Sequence, residues 1–302
     1  MTSLIFPVYA KNFFSGNRSI RNGSYSIIPY IGASAPSKSA QTLNDITDLV
    51  PGNNSNYIFA TLQNPGSDSY SRIVRDPGVD IEIQFAPVSL GVIDQGVSPI
   101  TGFVIADSTN PSSSSMPCFY MQRVNDSSIP EAFVPNGVEL LSVNLTTTPV
   151  HRIALGGTMS DDYLYYLLRS ERSPSFRTFY IVFFEGLTNI DSTWSTYGDL
   201  MNLATKPNGS QMAFKAVDVG GNSSNRFQVG ANSAYMQFDP LLLAAFATQT
   251  NAAITHYGFV EDSNSNPPLS SSDYFMGGNA LSAPYTPDGS DRQIILSSVL
   301  NF

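Results

Sequence analysis

Residues able to carry acid–base, nucleophilic or metal chemistry are scarce in this chain of 302 residues. It holds two histidines, His151 and His256, and one cysteine, Cys118. A metal centre built on several imidazoles therefore cannot form. His256 falls in an expected strand and His151 at an expected domain junction, so each reads as a packed or surface side chain. Cys118 also falls in a strand, the ordinary setting of a buried, inert thiol. The six glutamates are Glu82, Glu131, Glu139, Glu171, Glu185 and Glu261. Neither they nor the aspartates suggest a pair set about 5 to 10 Å apart across a cleft, as glycoside hydrolysis requires. Asp288-Gly-Ser-Asp291 and Glu261-Asp262 carry oxygens of the kind that bind calcium, but both read as plain turns, and a metal role is left open. No Gly-x-Ser-x-Gly elbow, Walker loop or dinucleotide fingerprint occurs. The expectation is a protein with no catalytic residues and no cofactor, and hence not an enzyme.

Lysine and arginine number 15 against 24 aspartates and glutamates, a net charge of −9. Nucleic-acid binding needs clustered cations, and these are scattered, so no direct sequence-specific binding is expected. The densest group, Arg169, Arg172 and Arg177, lies beside Glu171 and reads as a solvated linker. Charged residues make up only 13% of the chain, about half the usual share. Ser, Asn, Thr and Gln must then supply the polar surface, which suits packing against copies of itself. Triplets such as Asn22-Gly-Ser24 and Asn208-Gly-Ser210 follow from that composition. A lone cysteine allows no intrachain disulfide and lends no support to secretion. The opening Met1-Thr-Ser-Leu-Ile-Phe-Pro lacks the features of a secretory signal. The apolar run from Leu241 to Ala247 is too short to span a bilayer. A chain that is soluble when made is expected.

The elements that would position any site are punctuated by 22 Gly and 20 Pro and filled by 15 Tyr and 19 Phe, a balance that leans to β-structure. Their arrangement is governed by an internal repeat at a shift of about 154 positions. Ile27-Ile28-Pro29-Tyr30 and Gly32 meet Ile181-Val182-Phe183-Phe184 and Gly186. Thr42, Asp45 and Leu49 meet Thr196, Asp199 and Leu203. Gln84-Phe85-Ala86-Pro87 meets Gln237-Phe238-Asp239-Pro240, Ile100-Thr101 meets Ile254-Thr255, and Asn110 meets Asn264. Pro135-Asn136-Gly137 meets Pro287-Asp288-Gly289. A series of matches on one diagonal, with slips of a residue or two, marks two copies of one domain, residues 1–148 and 149–302.

Each copy opens on a core strand, Tyr25 to Ile31 or Arg177 to Glu185. A Thr-x-x-Asp capping pattern follows, and behind it a short helix through Ile46 or Leu200. Later strands are expected at Tyr57–Leu62, Val79–Phe85, Thr101–Ala106, Cys118–Gln122 and Val138–Leu145. Their counterparts are Gln211–Val217, Ala234–Phe238, Ile254–Val260, Tyr274–Met276 and Gln293–Leu300. Asp239-Pro240 before Leu-Leu-Leu-Ala-Ala-Phe-Ala predicts a further helix that is apolar on every side. Its counterpart at Ala86-Pro87 is expected to form a weaker one. The class is all-β: two tandem antiparallel β-sandwich (jelly-roll) domains with one or two short helices each.

Two tandem sandwiches in a cysteine-poor, Ser/Asn-rich chain resemble the double jelly-roll major capsid proteins of tailless icosahedral viruses. The likeness is to the smaller ones, of phages with an internal membrane. It spans the whole chain, rests on the repeat landmarks above, and has no short motif behind it. It implies a major capsid subunit: a homotrimer forming a pseudo-hexagonal capsomer that meets neighbouring capsomers, minor capsid proteins and the internal membrane. It also implies synthesis in the host cytoplasm and residence in the virion. Two alternatives stay open: a phage decoration, tail or fibre protein with tandem β-sandwiches, and a carbohydrate-binding module. The second is weakened because Trp194 is the only tryptophan.

Overall fold

A computed structural model describes residues 3–53, 55–69, 73–75, 81–122, 132–137, 140–143, 158–172, 179–201, 216–217, 227–229, 234–236, 241–243, 253–261, 269–286, 292–294 and 300–301. The chain divides into two compact units. One comprises Met1–Phe13, Asn17–His151 and Val229–Ala234; the other comprises Phe14–Gly16, Arg152–Gln228 and Tyr235–Phe302. Among the described residues the regular structure is mostly strand, in antiparallel main sheets, with few short helices. Among them no helix is long and apolar enough to cross a membrane.

In the first half the elements run β1 (Ser3–Ile5), α1 (Pro7–Phe14), β2 (Tyr25–Tyr30), a 3-10 turn (Leu43–Asp45) and β3 (Ala60–Leu62). Next come β4 (Ile73–Arg75), β5 (Ile81–Ile83), β6 (Val88–Val92), β7 (Gly102–Ala106), β8 (Pro117–Gln122) and β9 (Leu140–Val143). The second half runs β10 (Thr158–Met159), α2 (Asp161–Leu168), β11 (Phe179–Glu185), α3 (Tyr197–Leu200) and β12 (Ala216–Val217). Then follow β13 (Phe227–Val229), β14 (Ala234–Met236), β15 (Leu241–Leu243), β16 (Ile254–Glu261), β17 (Tyr274–Tyr285), β18 (Arg292–Ile294) and β19 (Leu300–Asn301).

The main sheets have five strands each, in the orders β1-β8-β7-β2-β3 and β10-β17-β16-β11-β12. These are one topology written twice. The smaller ladders recur too, β6 with β9 in the first half and β15 with β18 in the second.

Every residue of β2 and of β7 is buried, and so is β11 up to its last residue. Strands covered on both faces need apolar side chains at odd and even positions alike, and this is why Ile27-Ile28 and Ile181 to Phe184 read as unbroken runs. One face of the first sheet packs Ile28, Tyr30, Val104 and Ala106 against Leu43, Ile46 and Leu49. The matching face of the second packs Val182, Phe184 and Val260 against Ile190, Tyr197 and Leu200. Tyr25 and Phe179 belong to the opposite parity and meet rings from the helices. Tyr9 of α1 stands edge-on to Tyr25, with centroids 6.4 Å apart, and Tyr163 of α2 is tilted against Phe179 at the same distance.

Turns at the helix starts repeat in atomic detail. Asp45 Oδ2 accepts from the backbone N–H groups of Gln41 and Thr42, both at 2.9 Å. Asp199 Oδ2 accepts from Ser195 and Thr196 at 2.9 and 2.8 Å. Leu43 N–H and Asn44 N–H then donate to Ser115 and Ser113 carbonyls, while Tyr197 and Gly198 donate to Asp273 and Ser271. The Thr-x-x-Asp spacing thus sets the turn, and the turn clips onto the loop that leads into β8 or β17.

Two expectations are corrected. No helix starts at Asp239-Pro240 within the described residues: Leu241–Leu243 is strand β15, paired residue by residue with Arg292–Ile294, and residues 244–252 lie outside them. The weaker helix expected after Pro87 is likewise strand β6, with Val88 opposite Val143. Leu, Val and Ala runs that lack a polar face are periodically ambiguous, and long-range pairing decides them. The structure adds two helices, α1, with Pro7 at its first position, and α2, where Ser160 Oγ accepts from Tyr163 N–H as an N-cap.

Hydrogen bonds to the backbone hold the Asp45 and Asp199 carboxyls below the usual carboxylate range, the Thr42 and Thr196 N–H groups contributing most. A lowered folded pKa means that stability is fully present above the unfolded value, about 4, and is lost as pH falls through the folded value. The double variant Asp45→Asn/Asp199→Asn is expected to have a lower urea midpoint than wild type at pH 7, with the gap closing as the buffer is taken below about pH 4. A gap that stays constant with pH would contradict this account.

Candidate functional site

The sites that bring charged and hydroxyl side chains together inside the fold are a duplicated set of three residues. A helix tyrosine, a carboxylate at the end of a central strand and an arginine just beyond the helix recur at the spacing of about 154 positions. They are Tyr9, Asp107 and Arg18 in the first unit and Tyr163, Glu261 and Arg172 in the second.

Backbone geometry brings the arginine into place. Gly16 ends α1 with φ of 76°, and Ser170 ends α2 with φ of 59°. The N–H one residue further on turns back to a helix carbonyl, Asn17 to Asn12 at 2.9 Å and Glu171 to Tyr166 at 2.9 Å. That left-handed stop is the Schellman arrangement. It reverses the chain, so the next residue, Arg18 or Arg172, reaches the carboxylate at the strand end.

In the second unit Glu261 is fully buried. The Tyr163 hydroxyl donates to its Oε2 at 2.8 Å, and Arg172 Nη1 donates to its Oε1 in a short ion pair. The Arg172 guanidinium lies over the Tyr274 ring, 3.4 Å from its centroid, and Tyr166, which meets Tyr274 edge-on, is 5.9 Å from it. In the first unit Arg18 Nε meets Asp107 Oδ2 at 2.6 Å, and the Arg18 side chain is 51% exposed. Burial raises the Asp107 pKa, with Arg18 opposing the rise.

One exchange explains the difference. A buried tyrosine hydroxyl needs a partner. Tyr9 finds Tyr25, their oxygens 2.5 Å apart, and Tyr25 passes the bond to the Ser19 carbonyl at 3.0 Å. The second unit has Phe179 where Tyr25 stands, with no hydroxyl to offer. The longer Glu261 supplies the acceptor instead. Tyr25 with Asp107, and Phe179 with Glu261, are two solutions of one packing problem.

These sets act as fasteners rather than proton carriers. Both Glu261 oxygens are engaged away from solvent, and burial raises the Tyr9 hydroxyl far out of the useful range. Each set ties a helix, its exit turn and the last residues of a central strand together. Arg172 is therefore not part of a solvated linker, as the sequence suggested: it is an ion-pair partner stacked on the Tyr274 ring, because a buried carboxylate demands a cation. Arg169 pairs with Glu171 at 3.0 Å. Arg177, His151, Asp262, Asp288 and Asp291 lie outside the described residues.

The remaining singled-out side chains stay apart. His256 is packed in β16 with Nδ1 2.9 Å from Thr255 Oγ1, and burial lowers its pKa. Cys118 is buried in β8 and its pKa is raised well above the usual thiol value, chiefly by burial, which suppresses the reactive thiolate. Trp194 packs on Phe184 and Phe275, with centroids 6.1 and 6.0 Å away. Two open polar clefts of about 340 and 540 Å³ flank the Thr109–Asn110 tip of the first unit, and neither lining includes an aromatic ring. Among the described residues no group of three or more His, Cys, Asp or Glu is placed to hold a metal ion.

The two fasteners should differ in strength. Arg172→Ala strands a fully buried carboxylate and is expected to cost about 3–5 kcal/mol in urea unfolding. Arg18→Ala opens a half-exposed pair and should cost about 0–1 kcal/mol; equal losses would refute the assignment. Separately, Ser170→Gly relieves a left-handed non-glycine residue and should stabilise by about 1 kcal/mol, a gain that a thermal melt would register.

Comparison with protein-family models, with curated proteins and with solved structures finds no match.

Proposed function

We propose that this chain is a non-enzymatic structural subunit of a virion, the major capsid protein of an icosahedral shell. The observation behind the reading is the duplication: one five-stranded topology, one capping turn and one fastener, each present twice in a single chain. Three such chains around a three-fold axis place six like units in a near-hexagonal ring. Six-fold tiles cover a closed surface with few kinds of contact. In this proposal the partners are two further copies of the chain and neighbouring capsomers, with minor capsid proteins and an internal membrane beneath. Nucleic acid is not read by sequence, in keeping with a net charge of −9.

The finer form of the proposal makes each unit a jelly roll. That winding places eight strands in two facing sheets through two Greek keys, and it admits a hairpin of consecutive strands within one sheet such as β7 with β8 or β16 with β17. The second reading is a decoration, tail or fibre protein built of tandem β-sandwiches, which the same duplication would also serve.

Sedimentation of the purified protein and electron microscopy of what it forms decide between them. The shell reading expects trimers with a six-lobed outline that close into spherical particles as concentration rises. Open rings or filaments would favour the tail or fibre reading. A monomer that persists at high concentration would sink both.

A further inference from the structure

One end of the first sheet carries a surface of amides and hydroxyls that neither the fasteners nor the capped turns use. Antiparallel pairing sets Tyr25 opposite Leu62 and Ser26 opposite Ala106, so the residues before β2, after β3 and after β7 converge there. The Thr109–Asn110 tip is pinned over them. Thr61 Oγ1 donates to the Thr109 carbonyl at 3.2 Å, and Ser26 Oγ donates to the Ser108 carbonyl at 2.6 Å. On one side of the tip a cleft of about 340 Å³ is walled by Asn22, Thr61, Gln63, Asn64 and Ser69. On the other side a cleft of about 540 Å³ is walled by Asn53, Ser55, Asn56 and Ser112. Both volumes fall within the range of small-molecule sites. Asn64 is half-buried, and its Oδ1 is turned into the wall with no hydrogen-bond partner.

We propose that these clefts bind a neutral oligosaccharide, its sugars lying on either side of the tip. The lining chemistry selects the class. Side-chain amides and hydroxyls both donate and accept, as do the hydroxyls of a neutral sugar. Neither lining includes a carboxylate, and the one cation, Arg21, already donates from Nε to Ser69 Oγ at 3.0 Å, so charge selects no ion. The apolar members, Leu62 and Pro111, are buried, so a peptide finds no seat for its hydrophobic side chains. Nucleic acid needs aromatic platforms and a basic track, and the linings provide neither. The Asn64 acceptor gives the site its pull: an unpaired buried oxygen is costly, and a sugar hydroxyl that draws the amide outward supplies the missing donor. Without a ring to stack on, each site binds weakly, and repetition of the chain in an assembly multiplies the hold. Only that gain rests on the shell reading; the cleft chemistry does not.

Saturation-transfer NMR on the full chain tests this with maltotriose, cellotriose and the trimer of N-acetylglucosamine, and with sialyllactose as the acidic control. The neutral trimers are expected to receive saturation, and sialyllactose less. The double variant Asn22→Ala/Gln63→Ala changes two exposed side chains and should weaken binding about tenfold, with an unchanged thermal melt. Asn64→Leu separates a binding role from a structural one. It deletes an acceptor that has no partner in the fold, so the melt should not fall while binding does. No saturation of any neutral trimer, a preference for sialyllactose, or full-strength binding by either variant overturns the proposal. Sedimentation reads the assembly of the wild type separately, so each of these outcomes leaves the shell reading standing.

Discussion

Covering both faces of a sheet is a demanding constraint for a unit of this size. A central strand such as β2, buried at every residue, offers no polar side to water, so the chain must supply a cover on each face. Here the first cover is a helix placed before the central strand and the second is the capped turn placed after it. Both are short, and neither has enough intrinsic helical stability to stand alone. Their positions therefore depend on specific attachments. The Schellman stop and arginine fasten the helix, and the Asp45 or Asp199 carboxylate shapes the turn that clips onto the β8 or β17 loop.

Buried polarity in the fold follows from those attachments. Tyr9 and Tyr163 bring a hydroxyl to the helix–sheet contact, which gives the contact a direction but creates a group that must be satisfied. The exchange of Tyr25 and Asp107 for Phe179 and Glu261 shows how tightly this need constrains the sequence. Each pair is coherent, and either single swap would leave a hydroxyl or a carboxylate without its partner. Charge is thus spent on holding covers to sheets, and this accounts for a chain that is poor in charge overall yet keeps Arg18, Arg172, Asp107 and Glu261 at equivalent places.

Much of this is legible in the residues themselves. The unbroken runs at Ile27 and Ile181 reveal two-faced burial, and Thr42-x-x-Asp45 with Thr196-x-x-Asp199 reveals the turns, because both are local signals. Helices α1 and α2 escape notice since Pro7 to Phe14 and Asp161 to Leu168 are too short to show more than two turns of periodicity. Yet Tyr9, Ala10, Phe13 and Phe14 lie on the repeat diagonal with Tyr163, Leu164, Leu167 and Leu168, all of them buried. The fasteners are harder, because Arg18 and Asp107 are far apart in sequence and only their common spacing from Arg172 and Glu261 betrays them. Leu241–Leu243 misleads for the opposite reason: a good local cap at Asp239-Pro240 loses to a ladder with Arg292–Ile294 that no window around it contains.

What diverges between the halves is as informative as what is kept. The apolar cover, the capped turn, the helix stop and the ion pair recur, so these answer to the demands of folding, which are the same for each half. The far side of the helix changes from Lys11, Asn12 and Ser15 to Tyr165, Tyr166 and Arg169, and in the second half Tyr166 meets Tyr274 and Arg169 pairs with Glu171. In the proposed ring of six units built from three chains, each first unit would lie between second units and each second unit between first units, so the two halves would meet different neighbours and their outer side chains would answer to different contacts.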